Sequence, residues 1–178
     1  MSLQHNEVLQ ALFQRRSIRS FTREAVDWEK VETVLQAGRW APSGLNNQPW
    51  RFMVLYAGDK RQSMLAGCTK YGSIVQNAQA LIIVFLDRQN MYDYTKDCQG
   101  IGACVQNMLL AAHSLGLGGV WLGEILNRDS EAMQGLNLDQ EKYQLMAVVA
   151  LGYPAENGHS NRRDLQELML EDLDSQKF

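Results

Sequence analysis

Residues Ala80 to Leu86 read ALIIVFL, an unbroken apolar run rich in β-branched and aromatic side chains. At seven residues it falls far short of the ~18–20 that a membrane helix requires. A strand that is apolar on both faces must be covered on both, so the run predicts a central strand with a layer on each side. LMAVVALG, from Leu145 to Gly152, is a second buried strand of the same kind. RFMVLY at Arg51–Tyr56 and GGVWLGEI from Gly118 onward read as two more.

Helical patterns lie between these strands. Asn6 is a candidate N-cap for a first helix with Val8, Leu9, Leu12 and Phe13 on one stripe. Asp27 opens a second, placing Trp28, Val31, Val34, Leu35 and Ala37 or Gly38 on one face until Pro42 stops it. Asp59 opens a short third. The longest runs from about Tyr94 to Leu115, with Ile101, Val105, Met108, Leu109 and Ala112 at three- and four-residue steps and Gly116 as its C-cap. A weak helix is expected near Asp139–Gln144, and a helical tail from Asp164 to Leu173. Four strands separated by helices at unequal spacings, without repeat or linker, predict one three-layer or α+β domain over residues 1–178.

The balance of 17 basic against 20 acidic residues gives a net charge of −3, which argues against a nucleic-acid partner. No stretch suits a membrane, and the N-terminus lacks a signal-peptide pattern, so a soluble cytoplasmic protein is expected. The three cysteines, Cys68, Cys98 and Cys104, form no CxxC and no Cys/His ligand set, and read as small apolar residues in a reducing compartment. No metal site is expected.

Three segments carry possible chemistry. Arg15-Arg16-Ser17-Ile18-Arg19, with Arg23 close behind, concentrates guanidinium groups that match phosphate and carboxylate. If extended, the segment puts Arg15, Ser17 and Arg19 on one side; a solvated basic helix end is the competing account. Between Pro42 and Pro49 lies SGLNNQ, built either as a binding loop or as a well-capped turn. Gly116 and Gly118 suggest a dinucleotide fingerprint, but its third glycine would fall at Trp121, and the order helix-then-strand is reversed. A helix cap and sheet entry account for those two glycines. They leave Gly123, inside the apparent strand, as a place where a ligand can lie against backbone. GxSxG, P-loop and HExxH signatures are absent.

RRSIRSF, APSGLNNQPWRF, GACVQNMLLAAHSLGLGGVWLGEI and LGYPAE followed by an arginine pair occur in an order and spacing that resemble the nitroreductase family of flavin oxidoreductases. The resemblance spans about Arg15 to Arg163. It implies an α+β fold whose central sheet is mixed, mainly antiparallel and flanked by helices, and a homodimer with intertwined termini that binds FMN in two interface pockets. On these residues, Arg15 and Ser17 resemble the phosphate and second flavin contacts, with Arg16 between them. Arg19 resembles the cation beside the N1–O2 edge of the ring. Pro42, Ser43 and Asn46 would reach the partner's flavin, with Gln48 on the ribityl chain or supporting the loop. Trp121, Leu122 and Gly123 would line one ring edge. Arg162 resembles the late basic residue closing on the phosphate, with Arg163 its neighbour. Ser160 stands where the family often has a lysine, Gly123 where some members have an acid, and the pocket-shaping insertion is reduced.

The resemblance implies that NADH or NADPH and a small-molecule acceptor, such as a nitroaromatic or quinone, take turns in a ping-pong cycle. No side chain is assigned as catalytic, because FMN carries the chemistry. The alternative is a flavin-binding protein without reductase activity, a redox sensor or flavin carrier. A third reading, dehalogenation or flavin fragmentation, would need pocket segments for which the chain has little room.

Overall fold

A computed structural model describes residues 6–171 of the chain. In chain order its elements are α1 (Glu7–Gln14), α2 (Trp28–Arg39), β1 (Trp50–Tyr56), α3 (Lys60–Gly67), α4 (Gly72–Asn77), β2 (Ala80–Asp87), α5 (Tyr94–Ser114), β3 (Gly118–Leu122), α6 (Asp129–Gly135) and β4 (Tyr143–Gly152). The strands lie in the order β1-β2-β4-β3 and every pairing among them is antiparallel. The parallel element of the expected sheet is a single bridge, Ser17 to Gly119.

β2 is central and buried at every position, as its composition requires. Its alternate residues serve two cores. Leu81, Ile83 and Phe85 pack with Leu65 of α3, Ile74 and Val75 of α4, and Met133 of α6. Ala80, Ile82, Val84 and Leu86 pack with Val31 and Val34 of α2 and with Ile101, Val105 and Met108 of α5. The domain therefore has three layers: helices, sheet, helices. In β4, Leu145 belongs to the first core and Ala147 to the second, although strand alternation would place them together. The register shift at Val84/Phe85 explains this, because a bulge that inserts Met146 moves the following residues to the opposite face. Truncating Ile82 or Ile83, both fully buried, would cost about 2–5 kcal/mol.

Several expectations change. Asn6 caps α1 by accepting from the Leu9 N–H, but the stripe it introduces is exposed: Val8 is 66% and Phe13 71% accessible. Asp27 precedes α2 without capping it through its side chain, and Trp28 is exposed rather than on the buried face. The weak helix falls at α6, and Asp139–Lys142 form a turn into β4 because Asp139 caps its own loop by accepting from Glu141. The tail forms only a 3-10 turn at Leu165–Leu168; Asp172 and Leu173 lie outside the described residues. Gly123 follows β3 rather than lying within it. α4 had no clear sequence signal. Among the described residues, no helix is long and apolar enough to cross a membrane.

Candidate active site

The outer edge of β3 is covered by the chain just after α1. Arg15 turns out of the helix (φ −54, ψ 132) and the segment runs extended. The Ile18 N–H donates to Gly119 O at 3.1 Å, Thr22 N–H to Tyr153 O, and Ala155 N–H to Ser20 O. Glu156 Oε1 accepts from the Arg19 and Ser20 N–H groups at 2.6 and 3.2 Å. A free edge is thus paired, and the arginine segment is fixed beside the end of β3. Gly118 permits the approach: a Cβ there would lie 2.8 Å from Ile18 Cβ.

Alternation along this segment separates its side chains. Gln14, Arg16 and Ile18 line one cavity, with His113 and Gly116 to Gly118. Arg19 lines another, of about 180 Å³, with Tyr71, Ile74 and Val120 to Gly123. Arg16 Nη1 donates to Phe13 O and Arg15 O. Arg15 is partly buried, and its Nε is fully enclosed without a hydrogen-bond partner. Burial, then the charges of Arg162 and Arg16, hold its guanidinium below the ordinary arginine value. A buried donor left unpaired beside two like charges is unfavourable unless an anion completes it. The residues fit a phosphate. Arg162 donates through Nη1 to Ser160 Oγ and to Asn161 O, which orient its guanidinium. Arg163 is exposed on the same segment.

At the end of β3, the half-exposed Trp121 ring lies over α5, near Gly102. A Cβ on Gly123 would meet only Trp121 Nε1, at 3.9 Å, so the backbone here is open to a ligand. Leu122 is buried beneath it.

The loop after α2 contains a 3-10 turn at Gly44–Asn46, with Leu45, Asn46 and Gln48 at φ of 51, 56 and 49. Non-glycine residues rarely adopt such values, and three together need an external hold. Ser43 Oγ accepts from the Gln48 N–H at 3.0 Å, and Gln48 Nε2 donates to Asn46 O at 3.2 Å. Gln48 thus supports the loop. Asn47 Nδ2 donates to both Asp97 carboxylate oxygens at 3.1 and 3.2 Å. Asp97 is fully buried and also accepts from the Tyr92 and Asp93 N–H groups. Pro42, Ser43 and Gly44 line a cavity with Lys96, Gln99, Gly100 and Ala103 of α5, separate from the Arg19 cavity.

The sequence reading did not single out Asn47, Asp97, Thr69, Tyr71 or Glu124. Asp97 carried a signal, an acid four residues before Ile101 on the buried stripe of α5. Tyr71 and Glu124 carried none, because their roles depend on elements far apart in sequence.

The partly buried Arg15, with its enclosed and unpaired Nε, stands beside the open end of β3 in a three-layer α+β domain. The nitroreductase family model matches residues 12–66 and 66–153, and the chain belongs to this family. An Archaeoglobus fulgidus protein with the provisional name NADH dehydrogenase/NAD(P)H nitroreductase is 36% identical over 83% of this chain and 86% of its own. The NADPH-flavin oxidoreductase of Vibrio harveyi is 29% identical over 96% of this chain and 79% of its own. A Desulfovibrio desulfuricans protein, provisionally described as a nitroreductase and solved with FMN, is 56% identical with a TM-score of 0.93, over 94% of this chain and 98% of that one.

Proposed function

We propose that this protein is an FMN-dependent NAD(P)H oxidoreductase that reduces nitroaromatic, quinone or similar acceptors and works as a cytoplasmic homodimer. The observation that carries this reading is Arg15, whose buried Nε lacks a partner while Arg162 and Arg16 stand nearby. Arg15, Ser17 and Arg162 would hold the phosphate end of FMN, with Arg16 adding charge and Arg163 at the rim. Bound FMN supplies the hydride chemistry.

The chain's own residues bind, orient and polarise. Arg19 lines the cavity with Trp121, Leu122 and Gly123, where its guanidinium would favour negative charge on a bound flavin ring. Trp121 and Leu122 offer an apolar edge, and Gly123 lets backbone approach. Reductant and acceptor would take turns in this one cavity, a ping-pong order.

Two features support a second copy. The Pro42–Gly44 cavity is separate from the Arg19 cavity, so Pro42, Ser43 and Asn46, braced by Gln48, fit a partner's site rather than their own. Val8, Phe13, Trp40 and Leu45 are more than half exposed, with Leu45 at 82%. Together they supply the apolar surface of an interface. The three unpaired cysteines fit a reducing compartment.

Anaerobic mixing of the FMN-loaded protein with NADH or NADPH tests the reading: the yellow colour bleaches and returns with an acceptor. Protein that stays oxidised with both nucleotides would be a sensor or carrier instead. Protein that takes up no FMN would overturn the site. Sedimentation of the loaded protein as a dimer is expected, and a monomer that retains FMN would refute the shared pocket.

A further inference from the structure

Glu124 lies just beyond the open strand end and does not belong to the cradle described above. It begins a 3-10 segment, Glu124–Arg128, immediately after Gly123. Its Oε2 accepts from Thr69 Oγ1 at 2.5 Å and from the Lys70 N–H at 3.1 Å. Thr69 Oγ1 in turn accepts from the Tyr71 N–H at 3.2 Å. At the far end of the same segment, Arg128 Nη1 donates to Gly67 O at 2.7 Å. One short segment therefore grips the α3–α4 connection at two points. The connection is tight: a Cβ on Gly72 would overlap the Ala66 carbonyl oxygen.

What this grip holds in place is Tyr71. Tyr71 lines the cavity that Arg19, Trp121 and Gly123 also line. Lys70 Nζ stands 5.2 Å from the ring centroid and covers one face of it. The hydrogen bonds favour an ionised Glu124, and Thr69 is the largest influence lowering its pKa.

We propose that Glu124 is a positioning residue: by clasping Thr69 and Lys70 it fixes Tyr71 as a rigid aromatic wall beside Gly123, and so sets the preference of the site for planar aromatic acceptors. This rests on the oxidoreductase reading and adds to it the chemistry of acceptor choice. A flat π-system stacks on an aromatic wall held still, and gains little from one that swings freely. An acceptor that needs no stacking is indifferent to Glu124.

The test uses the FMN-loaded protein with NAD(P)H and two acceptors. 1,4-Naphthoquinone is planar and takes two electrons and two protons to the hydroquinone, one proton from solvent for each NAD(P)H oxidised. Ferricyanide is not planar, and two are reduced per NAD(P)H. In Glu124→Ala, the KM for naphthoquinone should rise about tenfold or more, while ferricyanide turnover stays within about twofold of wild type. The Lys70 amide, its acceptor gone, should exchange hydrogen faster with or without FMN. Tyr71→Ala should show the same KM rise, and the double variant should be no worse than Tyr71→Ala alone. Glu124→Gln retains an acceptor oxygen and should recover most of the affinity.

An unchanged naphthoquinone KM in Glu124→Ala, or losses that add in the double variant, would overturn the proposal. If Glu124→Ala does not fold, Thr69→Val removes one hydroxyl from the same clasp and must raise the KM in its place. Failure of the underlying oxidoreductase reading looks different: wild type itself would reduce neither acceptor.

Discussion

Replacing Gly118 by alanine adds one methyl group where the arginine segment docks on β3. The new Cβ would lie 2.8 Å from both Ile18 Cβ and Cγ2, and 3.1 Å from Cγ1. Relaxed carbon contacts are about 3.5–4.0 Å, so the two must part by roughly 0.7 Å or more. Ile18 branches at Cβ, next to its own backbone, so no rotamer removes the clash. The displacement passes into the backbone, and the Ile18 N–H to Gly119 O bond, already 3.1 Å, stretches beyond useful length. Overpacking costs about 1–3 kcal/mol and the weakened bond about 1 kcal/mol, offset by about 0.4–1 kcal/mol from a stiffer unfolded chain. The net loss is about 1–3 kcal/mol, and for a chain of this size the Tm falls by about 3–10 °C. Thermal melts of the FMN-free protein read this directly. Flavin titration reads a second effect, because Arg15, Ser17 and Arg19 move with Ile18, and affinity should drop about tenfold or more. Gly67→Ala is the control: a Cβ there meets nothing within 4 Å at the end of α3, and helix propensity favours alanine. A Gly118→Ala protein melting within about 1 °C of wild type with unchanged FMN affinity, or an equal loss in Gly67→Ala, would refute the reasoning.

Arg15→Met should weaken FMN binding about 10- to 150-fold, the loss of a charge-assisted contact, yet leave the FMN-free Tm unchanged or higher, because repulsion from Arg162 and Arg16 is removed; a lower FMN-free Tm would contradict the unsatisfied-cation account. Asp97→Asn turns one of the two buried oxygens that accept from Asn47 and Tyr92 into a donor and should cost about 1–3 kcal/mol in urea unfolding; an unchanged midpoint would show that the loop is held otherwise. The Asp59 carboxyl, hydrogen-bonded by Arg61, is lowered to about 2, so its stabilisation is present above the unfolded value of about 3.9 and fades as pH falls toward 2. The Tm gap between wild type and Asp59→Asn should therefore be constant above about pH 5 and close on acidification; a gap that widens reverses the sign. Burial pushes the Cys104 thiol up to about 12 and raises that of Cys68, so a thiol reagent should label Cys98 first in the native protein and all three only on unfolding; early labelling of Cys104 would contradict its burial.

Much of this architecture was legible in local pattern. ALIIVFL announces a central strand because no half-exposed position could tolerate it, and the α5 stripe from Ile101 to Ala112 is regular enough to set its own face. The alternation of Arg15, Ser17 and Arg19 followed once the segment was read as extended. What escaped was non-local. Val8 and Phe13 have the spacing of a core stripe, and nothing in that spacing says that this chain leaves them uncovered. Trp28 sits at a core-like position in α2 but is half exposed. The α6 region gave a displaced helix because Asp139 fits an N-cap as well as it fits the turn it makes. Gly123 looked like an interior strand residue because the pattern of GGVWLGEI does not show where pairing with β4 stops, at Leu122. The Glu124 clasp joins positions far apart in sequence through side-chain hydrogen bonds, which leave no periodic trace.

The meeting of Arg15 with Arg162 also bears on when a newly made chain can become a holoprotein. Arg15 is made first and Arg162 follows it, and the β3 backbone between them arrives in the interval. At roughly 5–20 residues per second, the roughly 150 residues separating the arginines take about 7–30 s to synthesise. A nascent chain in that interval has Arg15 but not Arg162, so the phosphate cradle proposed for the pair would be incomplete. If both arginines hold the phosphate as proposed, FMN would load after the sheet is assembled and would meet a domain already built.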